Sequence, residues 1–297
     1  MSIEDRILSK IPLNQGWSDD RKSIVTTPKG QYLCRISKPE RLFHVVKSFE
    51  HLNGLYLGHT PFSRPVECLF DEKGVRIYTT FVEGSDLSSI LSMLSVKKQI
   101  SLGVEAGIAL RHIHQRVKVE VDANWAQKYN AKIDRKIETY RSCGIRFDGD
   151  EDLIRKIESL RGLLIDRPQT FQHGDYHIGN FVLTPDLHLG ILDFDRWDIG
   201  DPWEEFNRIQ WCRNVSPAFA KARIDAYFEN NVPKDFFPLL YLYMAVNILS
   251  SIPWAIDFGE KQVEVMLENA TIFVCDTQGQ DDFVPIWYKM STSFEEA

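Results

Sequence analysis

Residues 172–195 read QHGDYHIGNFVLTPDLHLGILDFD. Two short β-type runs, FVLT and LGILDF, are separated by the turn pair Pro185-Asp186. A hairpin of that length returns its far end to the loop where it began, so Asp193 is expected back beside Asn180. Asn180 and Asp193 can thereby share a metal, with the Asp175 carboxylate in the same loop. On both sides of this island the chain reads as helix. Val96 to Gln115 repeats apolar residues at helical spacing, Trp125 to Leu164 holds amphipathic segments broken at Gly144 and Gly149, and helix resumes from Trp203.

Residues before about Thr80 have another character. SIVTT and QYLCRIS alternate around Pro28 and Gly30 as a hairpin, and a helix is expected from Pro39 to Leu57. PVECLF and VRIYTTF follow, joined by the turn Asp71-Glu72-Lys73-Gly74. The expected architecture is α+β and two-lobed. A small antiparallel-sheet lobe with one helix spans 1–80, a hinge 81–84, and a larger, mainly helical lobe 85–297.

Phosphoryl transfer needs an acceptor hydroxyl held in line and a metal to neutralise phosphate charge. The spacing H-G-D-x-x-x-x-N from His173 to Asn180 is that of a kinase catalytic loop. With His-Gly-Asp in place of His-Arg-Asp, the chain resembles the aminoglycoside phosphotransferase family, the kinase branch that also holds macrolide, choline and fructosamine kinases. QGWSDDRK, YLCRIS, the helix with Glu50, TTFVEG, LRHIHQ, QHGDYHIGN, ILDFD and GDPWEEF carry the resemblance in family order. It implies a protein-kinase-like fold with Asp175 as catalytic base or acceptor-orienting carboxylate. Asn180 and Asp193 are implied as ligands of Mg2+, and ATP or GTP as the donor.

The same resemblance assigns Gly16 and Ser18 to a phosphate-covering loop and Glu50 to the partner of the phosphate-binding cation. Thr80 and Val82 fall at the hinge that reads the adenine edge. Arg35 departs from the pattern, standing where kinases present lysine; its guanidinium can still grip phosphate bidentately. His173 is expected to brace the catalytic loop, Asp195 to support the metal site, and Asp201 to cap the helix near Trp203.

Lysine and arginine total 35 against 42 aspartates and glutamates, a net charge of −7 that argues against general nucleic-acid binding. Few residues separate Asp193 from Trp203, too few for an activation loop, so the acceptor is expected to be a small hydroxylated molecule rather than a protein. An aminoglycoside or related antibiotic is one acceptor. Choline, sugar or macrolide kinases and a non-catalytic nucleotide-binding pseudokinase stay open. Asp198, Asp201, Glu204, Glu205, Asp225, Glu229, Asp257 and Glu260, if convergent, would make an acidic wall for a cationic acceptor. The five cysteines have no zinc or redox spacing and the N-terminus no apolar leader core, so a cytoplasmic protein is expected. The apolar run Phe236–Ile256 is expected to be a core helix rather than a membrane span.

Overall fold

Alternation sets the first sheet. In β2 (Arg21–Thr27), Ser23, Val25 and Thr27 point inward. Its two-residue connection to β3 (Gly30–Ser37) pairs Thr27 with Gly30. The computed structural model describes residues 2–13, 20–71, 74–121 and 124–291. Within them β1 (Ser9–Leu13), β2, β3, β4 (Pro65–Asp71) and β5 (Gly74–Thr80) form an antiparallel sheet in the order β1-β2-β3-β5-β4. Glu72 and Lys73 of the expected turn lie outside the described residues. Val25, Cys34 and Tyr78 meet on one face. Val75 and Ile77 meet Val45 of α1 (Leu42–Leu52) on the other.

Two features differ from expectation. β1 reads SKIPL, without alternation and with Pro12 inside it, and it forms the outer strand, where a missing N–H is tolerated. α1 is shorter than 39–57. A 3-10 turn at Pro39–Arg41 precedes it, and it stops where Asn53 turns extended and Gly54 takes a φ of +74°.

Beyond Thr80 the chain passes under the strand Phe181–Leu183, where a Cβ on Gly84 would stand 2.7 Å from the Leu183 carbonyl oxygen. β6 (Ser85–Asp86), β8 (Phe181–Leu183) and β9 (Leu189–Ile191) make one small sheet, and β7 (Thr170–Gln172) pairs with β10 (Asp198–Gly200). Around them lie α2 (Leu87–Ile90), α3 (Val96–Arg116), α4 (Trp125–Ser142), α5 (Asp150–Leu160), α6 (Ile209–Val215), α7 (Pro217–Tyr227), α8 (Phe236–Ile256), α9 (Glu260–Thr277) and α10 (Ile286–Met290). Ser95, Asn124 and Ser216 cap α3, α4 and α7 with side-chain oxygens, each cap worth about 1 kcal/mol. Gly103 and Gly107 let α3 lie almost on the backbone of α7, since a Cβ there would meet the Phe219 and Arg223 carbonyl oxygens at 2.4 and 2.3 Å. α8 is long and apolar enough to cross a membrane. In this fold it packs against α4, α5 and α9, with 67% of its most apolar window buried.

Candidate active site

The loop after β7 is shaped by Gly174. Its φ of +79° favours glycine, and a Cβ there would fall 1.9 Å from the Arg196 carbonyl oxygen. Buried Glu205 holds the loop from below, its two carboxylate oxygens accepting the His173 N–H (2.6 Å) and the Gly174 N–H (2.9 Å). Burial works against the Glu205 charge, but His114, His173 and Arg223 outweigh it and keep the carboxyl below its usual range. The Asp175 N–H donates to His173 Nδ1 (3.2 Å), which leaves Nε2 to donate to the Leu192 carbonyl (2.8 Å). His173 is thus a neutral bridge between the loop and the strand end that carries Asp193. Its burial also lowers its pKa.

The hairpin closes as its length predicts. The Leu192 N–H donates to the Asn180 carbonyl at 2.9 Å, so Asn180 and Asp193 stand side by side. Asn180 Nδ2 donates to the Asp175 carbonyl (2.8 Å), tying the two residues together. Asp193 adopts the left-handed region, φ 60°, and its N–H donates to Ser63 Oγ at 2.9 Å.

Asp175 is only 15% exposed at its side chain and lies in contact with Arg208, with His177 Nε2 at 3.2 Å and Arg196 Nε at 3.9 Å. Burial alone would raise its pKa. The His177 hydrogen bond and the charges of Arg208, His177 and Arg196 reverse this and hold it far below the usual carboxylate range. Beside Asp175 opens a cavity of about 950 Å³, walled by α4, α6, α8 and α9.

Arg35, 12% exposed, has the opposite surroundings. Its Nη1 lies 3.2 Å from Asp193 Oδ1 and 3.1 Å from Asp195 Oδ2. Its Nε lies 2.7 Å from Asp20 Oδ2 without hydrogen-bond alignment. Desolvation is the largest influence on its pKa, yet the three carboxylates override it and raise the value. Arg41 also grips Asp195, at 2.9 Å.

Glu50 requires a correction. It does not face Arg35: it is 56% exposed and paired with Lys47 at 2.7 Å. The buried face of α1 is Val45, Ser48 and Leu52, and at 100° per residue Glu50 falls nearly opposite. His44 and Ser48 look toward Arg35 and Asp193 instead, across a small cavity. Thr80 spends its N–H and hydroxyl on the segment 62–64, and Val82 packs over Gly190. Gly16 and Ser18 lie outside the described residues.

The eight acidic residues do not gather on the cavity. Asp201 is fully buried between Arg167 (2.5 Å) and Tyr243 (2.7 Å) while also capping Trp203 N–H at 2.9 Å. Glu204 pairs with Lys132, Glu229 with Arg111, Asp225 with Lys221 and Asp198 with Lys128. Asp257 and Glu260 are exposed. The residues that sequence reasoning missed are Arg208, Arg196, Lys136 and the anchoring role of Glu205. GDPWEEF held a signal for the last, since Glu204 and Glu205 open a 3-10 turn whose three residues are all buried.

A small antiparallel sheet with one helix, set over a helical part whose loop presents Asp175, Asn180 and Asp193, defines a kinase-like phosphotransferase. A sequence profile described as "Phosphotransferase enzyme family" (APH) matches residues 10–236, and the chain belongs to that family. By that membership it is a nucleotide-dependent phosphotransferase acting on a small molecule. No curated protein matches the chain significantly. Among solved structures it is similar to a thermostable mutant of aminoglycoside phosphotransferase APH(4)-Ia in ternary complex with ADP and hygromycin B. That match has 15% identity and a TM-score of 0.65, covering 91% of this chain and 95% of that one. It is also similar to the gentamicin complex of APH(2")-IIa (16%, TM-score 0.61, 94% of each chain) and to ADP-bound APH(2'')-Ib (16%, TM-score 0.58, 90% and 94%).

Proposed function

We propose that the chain transfers the γ-phosphoryl group of ATP to a hydroxyl of a small molecule, with Asp175 at the acceptor, Arg35 on the phosphates, and Asn180 and Asp193 on Mg2+. The observation that supports this most is the Leu192-to-Asn180 backbone bond, which brings Asn180 and Asp193 together near Asp175. These donors fit magnesium, which takes one or two protein oxygens and fills the rest of its octahedron with water and phosphate. Asn180 commits its amide nitrogen to Asp175 and so turns its oxygen to the role of ligand. Bound there, the metal would neutralise charge on the transferring phosphate.

In the reaction the acceptor oxygen bonds to the γ-phosphorus, the bond from that phosphorus to the ADP oxygen breaks, and the hydroxyl proton passes to the transferred phosphoryl group or to water. Asp175 is ionised throughout the working pH range, so it can always accept a hydrogen bond from the hydroxyl. A carboxylate with so low a pKa is a weak base. Its work is to aim the hydroxyl, and the proton departs late, as a loose transition state permits. ATP rather than GTP follows the ADP, AMP-PNP and ATP held by the solved neighbours. Five free cysteines suit a cytoplasmic setting. Hygromycin B, gentamicin and streptomycin in the same neighbours support a small hydroxylated acceptor.

The test is transfer from γ-labelled ATP to a panel of aminoglycosides, amino alcohols, sugars, sugar phosphates and hydroxy acids. Label should reach a panel member only with magnesium present, and Asp175→Ala should abolish it. Tight Mg-ATP binding with no transfer to any class would instead support a nucleotide-binding pseudokinase.

A further inference from the structure

The charged side chains facing the 950 Å³ cavity are Lys136, Arg196, Arg208 and Arg213, against Asp175 and Glu268. Arg208 is engaged by Asp175 and Arg213 by Asp276 at 2.6 Å. Lys136 is different. It projects from α4, donates to Ser250 Oγ at 2.7 Å, and among the described residues has no carboxylate within ion-pair distance. Arg196 is more than half exposed at the mouth, with Asp175 still 3.9 Å away. An ammonium withdrawn from water without a counter-ion is costly, and here burial first, then the charges of Lys132, Arg208 and Arg135 against that of Glu204, lowers its pKa to about 8. A fold that keeps such a group on a cavity wall leaves an electrostatic vacancy for an anion.

We propose that the acceptor carries an oxyanion, a carboxylate or phosphate ester, received by Lys136, Arg196 and Arg208 while its hydroxyl is presented to Asp175. This rests on the phosphotransferase reading and names its acceptor class. Arg208 now closes directly onto Asp175. An acceptor oxyanion gives that guanidinium a second partner and frees Asp175 for the hydroxyl. Trp211, Trp254 and Met266 on the same walls offer apolar surface to the carbon skeleton. A polyamine would meet the same cations as repulsion.

Three matched probes test this by calorimetry at low salt, with the protein saturated by Mg-AMP-PNP: glucose 6-phosphate, glucose and glucosamine. Glucose 6-phosphate should bind at least about tenfold more tightly than glucose, and glucosamine most weakly, the size expected for a hydrogen-bonded charge pair. Lys136→Gln and Arg196→Gln should each erase about tenfold of the glucose 6-phosphate affinity and leave glucose and AMP-PNP binding within about twofold. Arg196 is exposed enough that its variant is safe to fold. Equal affinities, a reversed order, or no glucose 6-phosphate binding at about 20 mM would overturn the proposal. Nucleotide binding in the same samples separates the failures. A protein that holds Mg-AMP-PNP yet prefers glucosamine loses the anionic acceptor and keeps the phosphotransferase; one that binds no nucleotide loses the phosphotransferase reading itself.

Discussion

The surroundings of Arg35 and of Asp175 are mirror images in charge. Arg35 is a cation caged by Asp20, Asp193 and Asp195, with Arg41 alone among the described residues in ion-pair contact to help balance them. Asp175 is an anion caged by Arg208, Arg196 and His177, with Lys136, Glu268 and the Asp276-paired Arg213 on the same cavity. Each side holds more of one sign than its own residues neutralise, and the excess tells what is missing. On the proposed function the carboxylates would take a metal with its nucleotide, and the cations an anionic acceptor. In the proposed reaction the γ-phosphate would pass at the seam, where Asn180 ties the Asp175 loop to the Asp193 strand end.

The sharpest way to break this division is at Asp175. Asp175→Ala should lower turnover by about 10²–10⁴ while Mg-ATP affinity changes by less than about threefold, because the carboxylate serves the acceptor side alone. Single-turnover transfer and calorimetry give both numbers. A parallel loss of nucleotide affinity would merge the two regions.

On the donor side, Asp193→Ala should weaken Mg-ATP binding about 10–100-fold, and Asn180→Ala by less, since a full charge outweighs a neutral carbonyl at a cation. Without magnesium, Asp193→Ala should bind ATP as well as the wild type or better, because Arg35 is released from one carboxylate. Arg35→Ala should lose triphosphate affinity, and Arg35→Lys recover part of it. Calorimetry with and without the metal distinguishes these outcomes.

Acceptor affinity should fall as pH rises through the region of pH 8. Lys136 is charged below its pKa of about 8 and neutral above it, facing Lys132, Arg135, Glu204 and Arg208 in either state. The KM for an anionic acceptor should therefore climb several-fold between about pH 7 and pH 9, and the climb should vanish in Lys136→Gln. A KM that stays level would remove Lys136 from the acceptor site. The smallest effect belongs to Glu50: Glu50→Ala should leave turnover within about twofold and melting within about a degree, as for exposed ion pairs generally.

What was legible in the sequence is what is contiguous. QHGDYHIGN and ILDFD hold the Asp175 loop and the neighbouring pair Asn180 and Asp193 within 24 residues, and a hairpin of that length has one way to close. Glu50 was assigned from the family resemblance, and apolar spacing alone could not have corrected it, because it does not fix the helix phase. Val46 belongs to the apolar stripe yet is 43% exposed, and the true buried face is rotated toward Ser48. β1 escaped notice because an outer strand needs neither alternation nor a full set of N–H groups. The sign of the cavity was illegible for a different reason. Lys136, Arg196 and Arg208 come from separate elements and meet only in the fold, whereas most of the conspicuous acidic residues of the same region are consumed by partners such as Arg167, Lys132 and Arg111.

The division into a metal-seeking and an anion-seeking side is tested most directly by a crystal structure with AMP-PNP and Mn2+, the metal located by its anomalous signal. The account predicts Mn2+ held by the Asn180 and Asp193 side-chain oxygens, Arg35 turned to the phosphates, and the Asp175 cavity open for the acceptor. Manganese bound away from both residues, or a triphosphate lodged among Lys136, Arg196 and Arg208, would contradict it.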